Sequence, residues 1–324
     1  MSKVLGIGNA LIDIMTRLDS DDVLQLFNLP KGSMQLVDGN LSDIINQGTD
    51  SFEKTIASGG SAANTIHGLA RLGIETGFLG KVGKDELGLY FKKDMESSGI
   101  KPLLFESDTS SGKAIALISP DSERTFATFL GAAVEMGPDD LSDEIYKGYD
   151  YFHIEGYLVQ NHHLIEQAVK LAKKNGLKIC LDMASYNVVE DNLEFLQRIV
   201  KEYVDIVFAN EEEAKAFTGK EAEEALHDFA SICDIAVVKV GKMGSLIKQG
   251  NHVFRIHAIT AKSIDTTGAG DLYAAGFIYG LIKGFSLDIC GKIGSILAGK
   301  TIEVVGPKMT PDKWDEVHQM LSTL

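Results

Sequence analysis

Seven residues near the end of the chain, Asp265-Thr266-Thr267-Gly268-Ala269-Gly270-Asp271, have the side chains and spacing needed to hold an anion beside a carboxylate. Ahead of them, residues 253–264 are rich in β-branched and apolar side chains and read as a strand. Behind them, Leu272, Ala275, Ile278 and Ile282 recur at helical spacing, and Gly284 stands where a helix would stop. The motif is therefore expected to be a strand-to-helix turn. Its glycines free the backbone to approach a ligand, and a helix start offers unpaired N–H groups and a partial positive charge. Phosphate is the usual anion at such a place. Asp271 would stand at the helix mouth, either as an N-cap or as a base beside a phosphoryl group.

The elements that must position this turn are legible in the second half of the chain. Apolar, β-branched runs at 151–155, 178–182, 205–210 and 235–240 alternate with helical patterns at 164–174, 193–201 and 222–229. Such alternation implies right-handed βαβ units and a mostly parallel sheet with helices on both faces. Ligands then bind beyond the carboxyl ends of the strands, where Asp182 and Asn210 fall. Residues 4–8 form a first buried strand, which leads to Asn9 and Asp13, polar residues placed to face a ligand crevice. Gly6-x-Gly8 is no dinucleotide fingerprint, because Leu11 stands where the third glycine belongs. A second glycine-rich helix start follows at Gly59-Gly60, with Ser61 expected as its N-cap and Asn64 facing the same mouth. A strand at 76–81 and a helix at 85–97 come next.

Strand-like pieces at 32–38, 103–106, 113–119 and 124–129, with a turn at 120–123, have few helix signals around them apart from a helical piece at 23–27. They are expected to form a small sheet standing off the main body, a lid of the kind that keeps water from a reacting group. No linker composition marks a boundary, so residues 1–324 read as one α/β domain with the lid formed from 14–50 and 103–133. Arg124 lies on this lid. Phe126 and Phe129 are placed either to stack on a flat ligand or to pack in the sheet.

With 44% apolar residues the chain can bury a sizeable core, and its formal net charge of −15 without a long basic run argues against a nucleic-acid partner. An acidic protein that binds a polyanion must use local backbone dipoles and a metal ion. Cys180, Cys233 and Cys290 are too scattered for a disulfide framework or a zinc site. The N-terminus lacks a signal-peptide pattern and no apolar run is long enough to span a bilayer, so a cytoplasmic protein without a membrane partner is expected. Gly294 to Thr301 formally fits a phosphate-binding P-loop. However, Ile289, Ile293, Ile296, Leu297 and Ile302 place a helix straight through it, which excludes that loop.

Asp265 to Asp271 resembles the C-terminal signature of the ribokinase-like (PfkB-type) small-molecule kinases, and Gly59-Gly60-x-x-x-Asn64 resembles their N-terminal signature. Asn210-x-x-Glu213 matches the family element associated with the magnesium–phosphate network. Lys239-Val-Gly241-Lys-Met-Gly244 resembles the nucleotide-binding glycine turn, with Lys239 where many members carry threonine. The resemblance implies a ribokinase-like fold and a transfer from ATP to an alcohol. Asp271 would be the general base, with the amides of Gly268, Ala269 and Gly270 as the anion hole. Asn9, Asp13, Gly59, Gly60, Asn64 and Arg124 would bind the acceptor or lie near the transferred phosphate. Asn210, Glu213, Lys239, Gly241, Gly244 and Thr266 would serve the nucleotide, with Glu213 reaching Mg²⁺ indirectly and a monovalent cation near Asp265 and Thr267. Small residues of the helix around Gly294 would pack against the nucleotide. Residues 8–13 and 123–133 look most like adenosine-kinase-like members, which points to adenosine. A sugar kinase for fructose, ribose or 2-keto-3-deoxygluconate and an idle nucleotide-binding protein are the competing readings. The protein is expected to be a monomer or a homodimer through the lid.

Overall fold

The computed structural model describes residues 2–121 and 123–324, so Met1 and the Ser122 position of the expected 120–123 turn lie outside the described residues. The chain opens with β1 (Val4–Ile7) and passes directly into a small sheet with β2 (Leu11–Arg17), β3 (Met34–Leu36) and β4 (Lys54–Gly59). It returns to a large sheet with β5 (Thr76–Gly83) and β6 (Ile100–Ser107), then re-enters the small one with β7 (Gly112–Ile118) and β8 (Arg124–Phe129). The large sheet continues with β9 (Tyr151–Glu155), β10 (Lys178–Asp182), β11 (Ile206–Asn210) and β12 (Ile235–Lys239). A hairpin of β13 (Ser245–Gln249) and β14 (His252–Ile256) closes its edge.

The large sheet has nine strands in the order β14-β13-β12-β11-β10-β9-β1-β5-β6, parallel except where β13 pairs with β12 and β14. The small sheet has the order β3-β8-β7-β2-β4. Alternate residues of each parallel strand enter different cores. Val4, Cys180, Ile206 and Phe208 pack with the helices Ser61–Arg71, Ala269–Ile282 and Leu287–Thr301. Leu5, Ile7, Ile179, Leu181 and Val207 pack with the helices His162–Lys174 and Leu193–Tyr203. A strand covered on both faces must be apolar at successive positions, which is why these runs are so readable.

Three expectations change. Of the expected 253–264 strand only 253–256 pair in the sheet, as part of β14, and 257–268 has neither strand nor helix. There, Ile264 gives its amide to the carbonyl of Ile302, the C-cap of the Leu287–Thr301 helix, and a Cβ on Gly299 of that helix would lie 2.3 Å from Ile259, so both neighbours belong to a helix or its cap instead of a strand. Leu103 to Glu106 are not in the lid: they pair in parallel with Leu79 to Val82 of β5, because β6 follows the Glu86–Ser97 helix as a βαβ unit. The lid gains β4 instead, and the Gly39–Gly48 helix forms within the expected 14–50 segment. The helix Leu287–Thr301 does run through the P-loop-like string. Its small residues meet the Ala269–Ile282 helix, with a Cβ on Gly276 falling 2.9 Å from backbone atoms of Ile293 and Gly294. Gly276→Ala should therefore lower unfolding stability by about 1–3 kcal/mol by forcing these helices apart, measured by denaturant unfolding.

Candidate active site

The two glycine turns meet at Asp271. Gly268 is the N-cap of the Ala269–Ile282 helix with φ 75°, and a side chain there would strike Pro307, its Cβ only 2.4 Å from that of Pro307. Asp271 lies in the first turn and is not the cap. Its Oδ1 accepts from Ser61 Oγ at 2.7 Å and its Oδ2 from Asn64 Nδ2 at 2.9 Å, while Thr65 Oγ1 donates to its backbone carbonyl at 3.1 Å. Ser61 is thus a partner of Asp271; the cap of its own helix is Gly60, at φ 100°. Asn64, expected on the acceptor, is turned to the same carboxylate because residues 61, 64 and 65 share the helix face toward Asp271. The amides of Gly268, Gly270 and Asp271 find no backbone acceptor among the described residues, whereas Ala269, expected in the anion hole, gives its amide to the carbonyl of Thr266 at 3.2 Å.

Asp13 rises from β2 opposite Ala57, and its carboxyl lies over Gly59, where a Cβ would fall 2.2 Å from Asp13 Oδ1. The Asp13 carboxyl is pushed up to about 7 by burial, helped by Asp271 and opposed by Lys308 and Arg124. Gly60 passes so close to the backbone of Asn9 that a Cβ would lie 2.2 Å from its carbonyl oxygen. Asn9 is buried and tied to Glu155, which accepts from Asn9 Nδ2 at 2.8 Å and from the Ala62 amide at 3.0 Å. Glu155 was not singled out in the sequence, although its place at the carboxyl end of β9, before Gly156, is the signal that picked Asp182 and Asn210.

On the other side, Asn210 and Glu213 form a reciprocal cap: Glu213 accepts the Asn210 amide at 2.8 Å and its Nδ2 at 2.7 Å. Each Glu213 carboxylate oxygen thus accepts one hydrogen bond from Asn210. Lys239 Nζ bonds Asp182 Oδ2 at 2.9 Å across the ends of β12 and β10. Gly241, at φ 51°, opens into free space and lines the cavity, but Gly244 is closed against the backbone of β14, where a Cβ would lie 1.8 Å from the Ile256 carbonyl oxygen. Gly244 therefore makes the turn from β12 into β13, and Thr266 is exposed outside the cavity.

Arg124 reaches neither cavity. Its guanidinium pairs with Asp265 Oδ2 at 2.6 Å and donates to Thr267 Oγ1 at 3.1 Å. Asp265 also accepts from the Thr267 amide, the Thr267 hydroxyl and the Gly306 amide, so protein donors already occupy the carboxylate at which a monovalent cation was expected. Phe126 lines the central cavity, while Phe129 packs beneath Lys113.

That cavity, about 610 Å³, runs from Asp13 past Asp271 to Gly241. Asp13, Asp182, Glu211, Glu212, Glu213 and Asp271 line it, and Lys239 is the one lining cation among the described residues. A second cavity of about 940 Å³ adjoins it at Gly60, Ser61 and Tyr157. No three acidic or metal-ligating side chains converge on one point among the described residues. Hard carboxylate oxygens nonetheless suit Mg²⁺, which takes few protein ligands when phosphate oxygens and water supply the rest.

Burial pushes Asp271 up to about 6, with Asn64, Ser61 and Lys239 pulling it down and Asp182 raising it. A carboxyl whose folded value exceeds its unfolded value destabilises the fold when ionised, and that cost disappears as pH falls through the folded value toward the unfolded one. Asp271→Asn should accordingly raise the melting temperature at pH 8, with the gain shrinking between pH 6 and about 4, measured by thermal unfolding of both proteins across that range.

Comparison with known proteins places this geometry. Residues 45–313 match the model of the pfkB family carbohydrate kinases. The crystal structure of an adenosine kinase from Sinorhizobium meliloti is 32% identical, with TM-score 0.88, covering 98% of this chain and 99% of that one. A probable sugar kinase from Rhizobium etli is 31% identical, with TM-score 0.89 and 98% of each chain covered. The adenosine kinase of Saccharomyces cerevisiae is 28% identical over 95% of this chain and 96% of its own length. The match over most of the chain, the two-sheet architecture and the paired glycine turns agree: the chain belongs to the pfkB family of carbohydrate kinases, enzymes that phosphorylate hydroxyl groups.

Proposed function

We propose that this kinase phosphorylates the primary hydroxyl of a nucleoside, with adenosine as the preferred acceptor and ATP as donor. The observation that carries the reading is the second cavity. Leu11, Met34, Leu36, Leu130, Met136 and Leu158 give it an extended apolar wall, while Asn161, Ser185 and Asn187 supply polar groups elsewhere. A free sugar carries a hydroxyl on nearly every carbon and would leave such a wall unused, whereas a purine buries two apolar faces and presents hydrogen-bonding edges. A sugar acid is poorly served: Arg17 is exposed and Arg71 lies over the Trp314 ring, away from the cavity. Two adenosine kinases match along nearly the whole chain, as does the probable sugar kinase, so the choice between acceptors rests on the cavity wall.

In this mechanism Asp13 and the Gly59-Gly60 turn hold the sugar hydroxyls, and the base lies against the apolar wall. Asp271 accepts the proton of the primary hydroxyl as its oxygen bonds to the γ-phosphorus and the bond to the departing ADP oxygen breaks. The free amides of Gly268 and Gly270 take up negative charge on the phosphoryl oxygens. Mg²⁺, when bound with the nucleotide beside Asp182 and the Glu211–Glu213 stretch, neutralises phosphate charge. Positioning and electrostatics of this kind are what phosphoryl transfer requires. The small sheet closes over the acceptor and keeps water out. The acidic chain is read as cytoplasmic; no helix among the described residues is long and apolar enough to cross a membrane.

The test is ATP consumption with Mg²⁺ over adenosine, inosine, guanosine, ribose, fructose and 2-keto-3-deoxygluconate. Adenosine should give the highest kcat/KM, and Asp271→Ala should cut turnover by about 10²-fold or more while leaving ATP binding in place. Preference for a free sugar would overturn the acceptor, and retained turnover in Asp271→Ala would overturn the base.

A further inference from the structure

We propose that Lys239 is a catalytic residue: its ammonium passes from Asp182 to the phosphoryl group in transit and supplies a positive charge to an anion hole otherwise built of backbone amides. The inference rests on the reading that the central cavity takes ATP.

Lys239 ends β12, paired in register with Asn210 of β11, so its side chain leaves the sheet at the carboxyl end where the cavity opens. From there it does not follow the glycine turn of residues 241–244. It crosses to the start of the Ala269–Ile282 helix, where a Cβ on Gly270 would lie 3.1 Å from Nζ. The ammonium therefore sits beside the residue whose amide is free for an anion. An ammonium has three donors, and the hydrogen bond to Asp182 is the one it makes among the described residues. It is largely buried, with a side chain 16% exposed against 6% for Asp182. Two unused donors on a buried cation, beside a helix N-terminus and inside a cavity walled by carboxylates, are arranged for an anionic ligand more than for a structural ion pair. A buried pair adds little stability by itself, and a lysine serves a phosphate as a compact, mobile point charge.

The charge arithmetic of the cavity points the same way. Six carboxylates line it against this one cation, so an incoming polyphosphate meets repulsion that a magnesium ion and three amides must otherwise offset alone. Asp182 holds the ammonium within reach before the nucleotide arrives, and phosphate oxygens become the stronger acceptors as charge builds on them. Lys239 stays protonated throughout. The bond from the acceptor oxygen to phosphorus forms, the bond to ADP breaks, and the acceptor proton goes to Asp271.

The test compares calorimetric binding of MgATP and MgADP, together with kcat and KM, in the wild type, Lys239→Thr and Lys239→Arg. Lys239→Thr should weaken MgATP about tenfold, leave MgADP within about twofold and lower kcat about 10²-fold with the acceptor KM unchanged, and Lys239→Arg should recover part of the loss. Because Asp182 loses its counter-charge in Lys239→Thr, the double variant Lys239→Thr/Asp182→Asn removes the unpaired carboxylate as well: it should retain the low kcat of Lys239→Thr, whereas recovery to wild-type kcat would assign the defect to the stranded Asp182 charge and overturn the proposal. Equal weakening of both nucleotides, or a lowered melting temperature with kcat preserved, would reduce Lys239 to a structural partner. A wild-type protein that binds neither nucleotide would sink the kinase reading of the cavity itself.

Discussion

The site depends on one carboxylate kept ionisable where its charge is disfavoured. Asp271 is buried deeply enough to raise its proton affinity, yet Ser61, Asn64 and Lys239 hold it back from becoming a neutral acid. The same contacts fix geometry. Ser61 and Asn64 belong to the glycine turn on the acceptor side, and Asp271 belongs to the turn that offers free amides. In the proposed mechanism, one residue thereby sets the spacing between an incoming hydroxyl and an anion. The Thr65 hydroxyl on the Asp271 carbonyl locks the two helices further. Positions this constrained are what a base needs, since proton transfer is lost with small displacements.

A second set of charges seats the small sheet on the large one. Arg124 of β8 reaches Asp265, which also holds the Gly306 amide, so a lid strand, the anion-binding loop and the chain after the Leu287–Thr301 helix converge on one carboxylate. Lys308, just beyond, pairs with Asp94 and donates to Ser58 of β4 at 2.7 Å. Only Gly8, Asn9 and Ala10 separate β1 from β2, so Asp13 stands close to the carboxyl end of β1 by connectivity alone. Asn9 contributes through this architecture. Its amide group secures Glu155, and Glu155 secures the Ala62 amide at the start of the acceptor-side helix.

The parallel sheet was legible because its strands are covered on both faces: the strands at 151–155 and 178–182 begin and end where the apolar runs do. The edges were harder. Residues 257–264 have strand-like composition, but the segment runs past a helix end, where Ile264 gives its amide to Ile302, and nothing local distinguishes the two outcomes. Leu103 to Glu106 joined the large sheet because the preceding helix returns the chain there, a fact of topology that composition does not hold. At the site, residue types and spacing located the turns around Gly60 and Gly268 and the cavity they line, but not which group faces which. Asn64 and Ser61 face Asp271, and Arg124 faces Asp265, because of contacts between segments more than a hundred residues apart.

The account stands on Asp271 acting as an ionised base with a raised proton affinity. The most direct measurement is the pH dependence of kcat/KM for the wild type with MgATP and its preferred acceptor, taken from pH 5 to 8. With the carboxyl at about 6, activity should fall about tenfold per unit below that pH and level off above it. A flat profile across the whole range would contradict the role of Asp271 as the base.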